Sequence, residues 1–215
     1  MPSPAGRPSG ARPPAGPPNG APWPSAAPPR RRRRWPRRLA LVSLLGVVCC
    51  CGIPAGYLTW VPAAQFPVTA VPPQTVGDLS LRDDSASRRS VARLKQQLRD
   101  AGARGDVFAG IYTDGNGKRV TIFGTTGLRV TPKADVEAEL RRLADQFGLR
   151  DLQPYDLGET GAHERCGIGT VDGDTVVVCG WADHGSLGTV VANRRSVSDS
   201  AQLTGILRSA VLTHG

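Results

Sequence analysis

Acidic residues are missing from the first 38 positions, and charge of either sign is missing from the 22 that follow. The first absence leaves residues 1–38 a one-sided cationic tail. The second marks a segment suited to a medium without water. Aromatic residues make up only 5% of the chain, too few for the stacked platforms that read single-stranded nucleic acid. Histidine occurs three times, and His163–Glu164 has no second histidine to complete a zincin helix. No glycine loop of the phosphate-cradling kind is present, and no internal repeat appears at periods of roughly 20–50 residues, which excludes solenoids.

What is present begins with Leu39–Trp60. At about 1.5 Å per residue a helix of this length spans roughly 33 Å, enough for a hydrocarbon core. Its apolar residues run all round the helix, as lipid contact requires. Trp35 stands at one end and Tyr57 and Trp60 at the other, where amphipathic rings favour the interface. Arg30, Arg31, Arg32, Arg33, Arg34, Arg37 and Arg38 precede the segment directly. Cationic flanks resist translocation, so they predict a cytoplasmic N-terminus and an extracytoplasmic C-terminal domain. The rival reading is a signal peptide cleaved after Val61–Pro62–Ala63 to release a secreted protein. The length of the apolar run argues against it. Gly52 and Gly56 have the spacing of helix-dimer faces, which would allow a homodimer through the membrane helix, although Pro54 between them favours a simple kink. Cys49, Cys50 and Cys51 fall in mid-span and read as small apolar residues.

The formal charge of +9 is confined to the tail. Residues 1–38 hold nine of the 27 Lys and Arg residues, so residues 61–215 balance eighteen cations against all eighteen acids. The expected partner of the tail is therefore the anionic inner leaflet and not nucleic acid.

Four regions follow from this reading. Residues 1–38 are expected to be a disordered Pro/Arg-rich cytoplasmic tail and 39–60 the membrane helix. Residues 61–89 are expected to be an extended, proline-rich linker that holds the domain off the membrane. Residues 90–215 form the extracytoplasmic domain. Within it, Ser90–Ala101 has helical periodicity with Ser90 as N-cap, and Asp106–Thr113 and Arg119–Phe123 make a hairpin about Asp114–Gly117. Thr131 and Pro132 open a second helix ending at Gly148, and Leu149–Ala162 reads as a loop. Strands at His163–Val171, Asp174–Trp181 and Leu187–Asn193 precede a helix near Ser200–Leu212, with Leu203, Ile206, Leu207, Ala210 and Val211 on one face. The predicted fold is α+β, one antiparallel sheet of about five strands with helices on one face.

Cys166 and Cys179 are the most informative pair. A two-residue turn at Asp172–Gly173 makes facing residue numbers sum to 345, which sets the cysteines opposite each other at a non-hydrogen-bonded site, about 4.5 Å apart at Cα. A disulfide is predicted, favoured by an oxidising compartment. The competing reading is a zinc site of His163, Cys166, Cys179 and His184. Strand alternation turns His163 to the other face. Asp183, His184 and Ser186 supply the residue types of a hydrolase triad, but neighbours on one turn do not converge. Trp181, Asp183 and His184 together are the candidate ligand site.

The run Val178–Cys179–Gly180–Trp181–Ala182–Asp183–His184–Gly185–Ser186–Leu187–Gly188, followed by Arg194–Arg195–Ser196–Val197, resembles a group of actinobacterial single-pass membrane proteins. These are rich in proline and arginine ahead of their membrane segment. The resemblance implies the same topology and lends no activity. The function expected is a membrane-anchored, non-enzymatic binding, sensing or scaffolding module with an envelope protein as partner and without cofactor or metal. An envelope hydrolase or thiol enzyme is the alternative.

Overall fold

The computed structural model of the chain describes residues 60–214 together with Ala40, Val42, Ser43, Leu44 and Gly46. Among the described residues no helix is long and apolar enough to cross a membrane. The span expected at 39–60 lies outside them apart from those five positions and Trp60, as do the arginine run, Cys49–Cys51 and the Gly52/Gly56 pair.

A helical turn over 60–65 leads into ten strands and three longer helices. In chain order these are β1 (Val68–Ala70), β2 (Thr75–Val76), β3 (Leu79–Leu81), α1 (Ser85–Asp100), β4 (Asp106–Thr113) and β5 (Arg119–Thr126). There follow α2 (Pro132–Phe147), β6 (Arg150–Tyr155), β7 (His163–Val171), β8 (Asp174–Ala182), β9 (Ser186–Asn193), α3 (Val197–Val211) and β10 (Leu212–His214). Eight strands form one sheet in the order β2-β3-β4-β5-β9-β8-β7-β6, and β1 pairs with β10 in a separate ribbon. Every pairing is antiparallel.

The α+β class and the antiparallel sheet agree with the sequence reading. The structure also corrects it, first in the sheet and the segment that precedes it. The main sheet has eight strands and not five, because β2, β3 and β6 add themselves at its edges. They are short or interrupted: β6 carries Pro154 and an irregular register between Arg150 and Gln153. Such strands depend on a neighbour's free edge more than on their own alternation, and an edge tolerates proline. Where the sequence suggests an extended linker at 61–89, the structure has β1, β2, β3 and the start of α1, with Val76 and Leu79 buried in the core.

The second correction concerns the helices, which cover both faces. Val176, Val178 and Ala182 of β8 pack with Val136, Leu140 and Leu143 of α2, and α1 adds Val91, Leu94 and Leu98 to the same face. Trp181, Phe108, Ile122 and Val190 point the other way, against Leu203, Leu207 and Val211 of α3. A strand buried on both faces reads as a continuous apolar run, which is what Val176–Val177–Val178–Cys179 is.

Local chemistry sets the helix ends. Asp84, not Ser90, caps α1: its carboxylate accepts from the backbone N–H groups of Ala86 and Ser87 and from the Ser87 hydroxyl. These bonds hold the Asp84 carboxyl below the ordinary range. Ser90 lies inside the helix and donates back to the Ala86 carbonyl, the bond available to a mid-helix serine. Pro132 opens α2 as expected, although the Thr131 side chain makes no capping bond, and Gly148 closes it in the left-handed conformation. On α3 the buried stripe is Ser200, Ala201, Leu203, Thr204, Leu207, Arg208 and Val211. Ile206, expected inside, is 47% exposed.

Candidate functional site

The β7–β8 hairpin turns at Asp172 and Gly173, both at positive φ, and pairs Cys166 with Cys179 in the register derived from the turn. The two form a disulfide with Cα atoms 4.0 Å apart. Both are wholly buried beneath α3, with Ala201 against them. Glu164, also buried, brings Oε1 to 3.4 Å from Cys166 Sγ. A disulfide sulfur has no proton to give, so the contact suits a protonated carboxyl. Burial pushes the Glu164 carboxyl up to about 8, against the smaller opposing effects of Thr204 and Arg208. Among the described residues, Glu164, Cys166 and Cys179 are the group whose donor atoms come within metal-binding reach of one another. Neither His163 nor His184 joins it, and bridged cysteines offer no thiolate to a cation.

Trp181 is fully buried, and its indole lies over the bare backbone of Gly188. A Cβ at 188 would fall 2.0 Å from the indole Cη2. Phe108 packs beside it at 6.2 Å between ring centroids. Trp181 is core. Its Nε1–H donates to Ser186 Oγ at 3.0 Å, and that hydroxyl donates to Asp183 Oδ2 at 2.8 Å.

Asp183 is 1% exposed and wholly engaged. Its Oδ1 accepts the backbone N–H groups of Gly185 and Ser186, the Asx-turn that closes the β8–β9 connection. Its Oδ2 also accepts Arg208 Nε from α3 at 2.9 Å. Arg208 reaches on to Glu159 Oε2 at 2.6 Å. Burial alone would raise Glu159, but its bond to Arg208 and that cation's charge outweigh it, so the carboxyl sits below its ordinary value. For Arg208 the balance runs the other way: burial lowers it, and Glu159 and Asp183 together raise it above the usual range. A buried charge with partners on both sides is held in place. Removing either partner leaves an uncompensated ion in a poorly solvated site.

His184 faces away from this network. Its Nδ1 meets the Arg129 carbonyl at 2.8 Å, its backbone N–H donates to Gln65 Oε1 at 2.9 Å, and its carbonyl accepts the Arg129 N–H at 2.9 Å. Asp183, His184 and Ser186 are thus brought together as a scaffold in which the histidine touches neither partner. Of the three candidate ligand residues, Trp181 and Asp183 are interior and only His184 is half-buried.

The open site lies on the opposite face, and sequence reasoning did not reach it. α1 lies mainly over β4 and α2 mainly over β7 and β8, so the central strands β5 and β9 are covered only from the two sides. The result is a trough of about 750 Å³. Thr121, Phe123 and Val191 form its floor, with Leu94 and Leu98 on one wall and Leu143 and Phe147 on the other. Lys118, Arg119 and Arg194 stand at one end with Asp172 and Asp174. Past Arg142, which lines both parts, the trough continues into a hollow of about 330 Å³ that ends at Arg129. The Arg129 guanidinium donates to the Thr125 hydroxyl and lies 3.6 Å from the Asp135 carboxylate, and its Nε is buried with no partner among the described residues. Burial lowers its affinity for the proton, and the Asp135 charge only partly restores it. Apolar floors with a few polar groups at the rim are typical of small-ligand sites of this volume. No family model, curated protein or solved structure matches the chain.

Proposed function

We propose that this is a single-pass membrane protein, N-terminus in the cytoplasm, whose outer domain is a non-enzymatic binding module that seats its ligand between α1 and α2. The observation that carries the reading is the trough: a sizeable cleft with an apolar floor on the central strands of the sheet, between α1 and α2. Lys118, Arg119 and Arg194 at one end and the under-partnered Arg129 at the other favour a ligand with an apolar body and an anionic end. The uncharged segment 39–60 and the seven arginines before it support the anchor and its orientation.

A hydrolase or thiol enzyme has less support. Asp183 and Ser186 are spent on the turn, His184 on the Arg129 carbonyl, and the cysteines on each other. Native mass spectrometry of the full chain, extracted from its membrane and ejected from detergent, tests the binding reading. A one-to-one small-molecule adduct is expected in wild type and is expected to vanish in Val191→Trp, which fills the floor. An equal adduct in both proteins, with equal melting temperatures, would count against the trough.

A further inference from the structure

The junction between the apolar segment and the domain has no slack. Gln65, five residues after Trp60, is 2% exposed. Its Nε2 donates to Glu159 Oε1 at 2.6 Å and to the Thr160 carbonyl at 2.9 Å, while its Oε1 accepts the His184 N–H. Residues 60–65 are helical, so Trp60 stands only about 7.5 Å along the axis from that pinned glutamine. The 127–131 loop is tied to the same anchor. Gly127 N–H donates to the Gly185 carbonyl, Arg129 N–H donates to the His184 carbonyl, and the Arg129 carbonyl meets His184 Nδ1. One pole of the domain therefore carries both the entry of the chain and this loop.

The loop reverses the usual surface pattern. Arg129 is turned inward, its side chain 15% exposed, while Leu128 and Val130 on either side are 61% and 82% exposed. Trp60, just ahead of the pinned Gln65, is 74% exposed. Large apolar side chains turned out, with the intervening cation turned in, suit a surface that meets hydrocarbon more than one that meets water. We propose that this pole rests on the bilayer, with Leu128 and Val130 inserted into the outer leaflet beside Trp60. The argument for lipid over a protein partner is where the chain comes from: the segment read as the span, Leu39–Trp60, finishes within two helical turns of the pinned Gln65, and the chain stays free of charge as far as Gly77. The proposal rests on the reading of 39–60 as a membrane span.

The test uses the full chain in vesicles of phosphatidylcholine and phosphatidylglycerol, with Cys49, Cys50 and Cys51 replaced by alanine. A nitrobenzoxadiazole label is placed at Leu128→Cys, Val130→Cys or, as a control elsewhere on the surface, Ile206→Cys. Headgroup-proximal doxyl lipid is expected to quench the labels at 128 and 130 at least twofold and to spare the one at 206. Aqueous iodide is expected to do the reverse. Labels at 128 and 130 that behave like 206 would overturn the docking. A reporter fused after Gly215 separates this from the underlying reading. A reporter active outside with unquenched loop labels sinks only the docking, while a cytoplasmic reporter sinks the proposed topology and the outer-leaflet placement with it.

Discussion

One sheet, finished in two ways, organises this domain. Its α3 face is tightly pinned, with one hollow beside Glu164: Trp181 fits over Gly188, the disulfide lies under Ala201, and Asp183, Arg208 and Glu159 link turn, helix and loop. Its other face carries two helices set apart, with a trough between them over the central strands. α2 on that face is firmly seated through buried Val136, Leu140 and Leu143. α1 buries only Ser87 fully, and its Val91, Leu94 and Leu98 stay half-exposed. The residues with the most reactive chemistry are thus consumed by contacts on the α3 face, and the trough proposed for a ligand lies on the face with the plainer residues. Reactive side chains and a binding site need not coincide.

The largest effect that sharpens this contrast is expected from Asp183→Ala. It removes the acceptor of the Asx turn and strands Arg208, at a cost of about 3–5 kcal/mol in denaturant unfolding. A variant that melts like wild type would break the claim that the α3 face is locked by charge. Cys166→Ala with Cys179→Ala is expected to cost roughly 3 kcal/mol through the lost loop closure, read in the same way.

Glu164 is expected to make stability pH-dependent. Its folded carboxyl titrates near 8, above its ordinary value of 4.5. Between these values the folded state holds a proton that the unfolded state has released, so stability falls as pH rises from about 4.5 to 8 and levels beyond. The loss should be about 2 kcal/mol, since the carboxyl lines a solvent-open hollow beside α3 and water screens part of the cost. Glu164→Gln is expected to flatten the profile.

On the open face the effects are smaller and of a different kind. Asp84→Ala removes the cap of α1 and is expected to cost about 1 kcal/mol, visible as faster amide exchange in Ser85–Arg89. Val191→Trp is expected to change stability by less than about 1 kcal/mol because the trough has room for the ring, while ligand binding is lost. A large destabilisation by Val191→Trp would show the trough to be packed core, and the contrast between the faces would fail.

Much of this was legible in the chain. Strands β4, β5, β7, β8 and β9 alternate or run apolar over five residues or more, and Pro132 and Gly148 mark the bounds of α2, so local pattern sufficed. The disulfide followed from one turn, because Asp172–Gly173 sets the hairpin register. β2, β3 and β6 were not legible, since two or three residues, or a strand broken by Pro154, gain their stability from a partner's edge. The helices on both faces do leave a signal, since Val176–Val177–Val178 has no polar face to turn to water. Arg208 left a fainter one, a cation within the apolar stripe of α3, which calls for a buried acid such as Asp183. The trough left none. It is a gap between elements, and its floor residues look like any others on β5 and β9.

The pinning of Gln65 has a consequence for reach. A tethered domain sweeps a volume set by its leash, and on the proposed topology this one would have almost none, since Gln65 is held only five residues after Trp60. A fold of this length is on the order of 40 Å across. With 39–60 as the proposed span, anything the domain touches would have to come within that shallow layer above the lipid, and encounters would become a matter of sideways diffusion in the plane of the membrane.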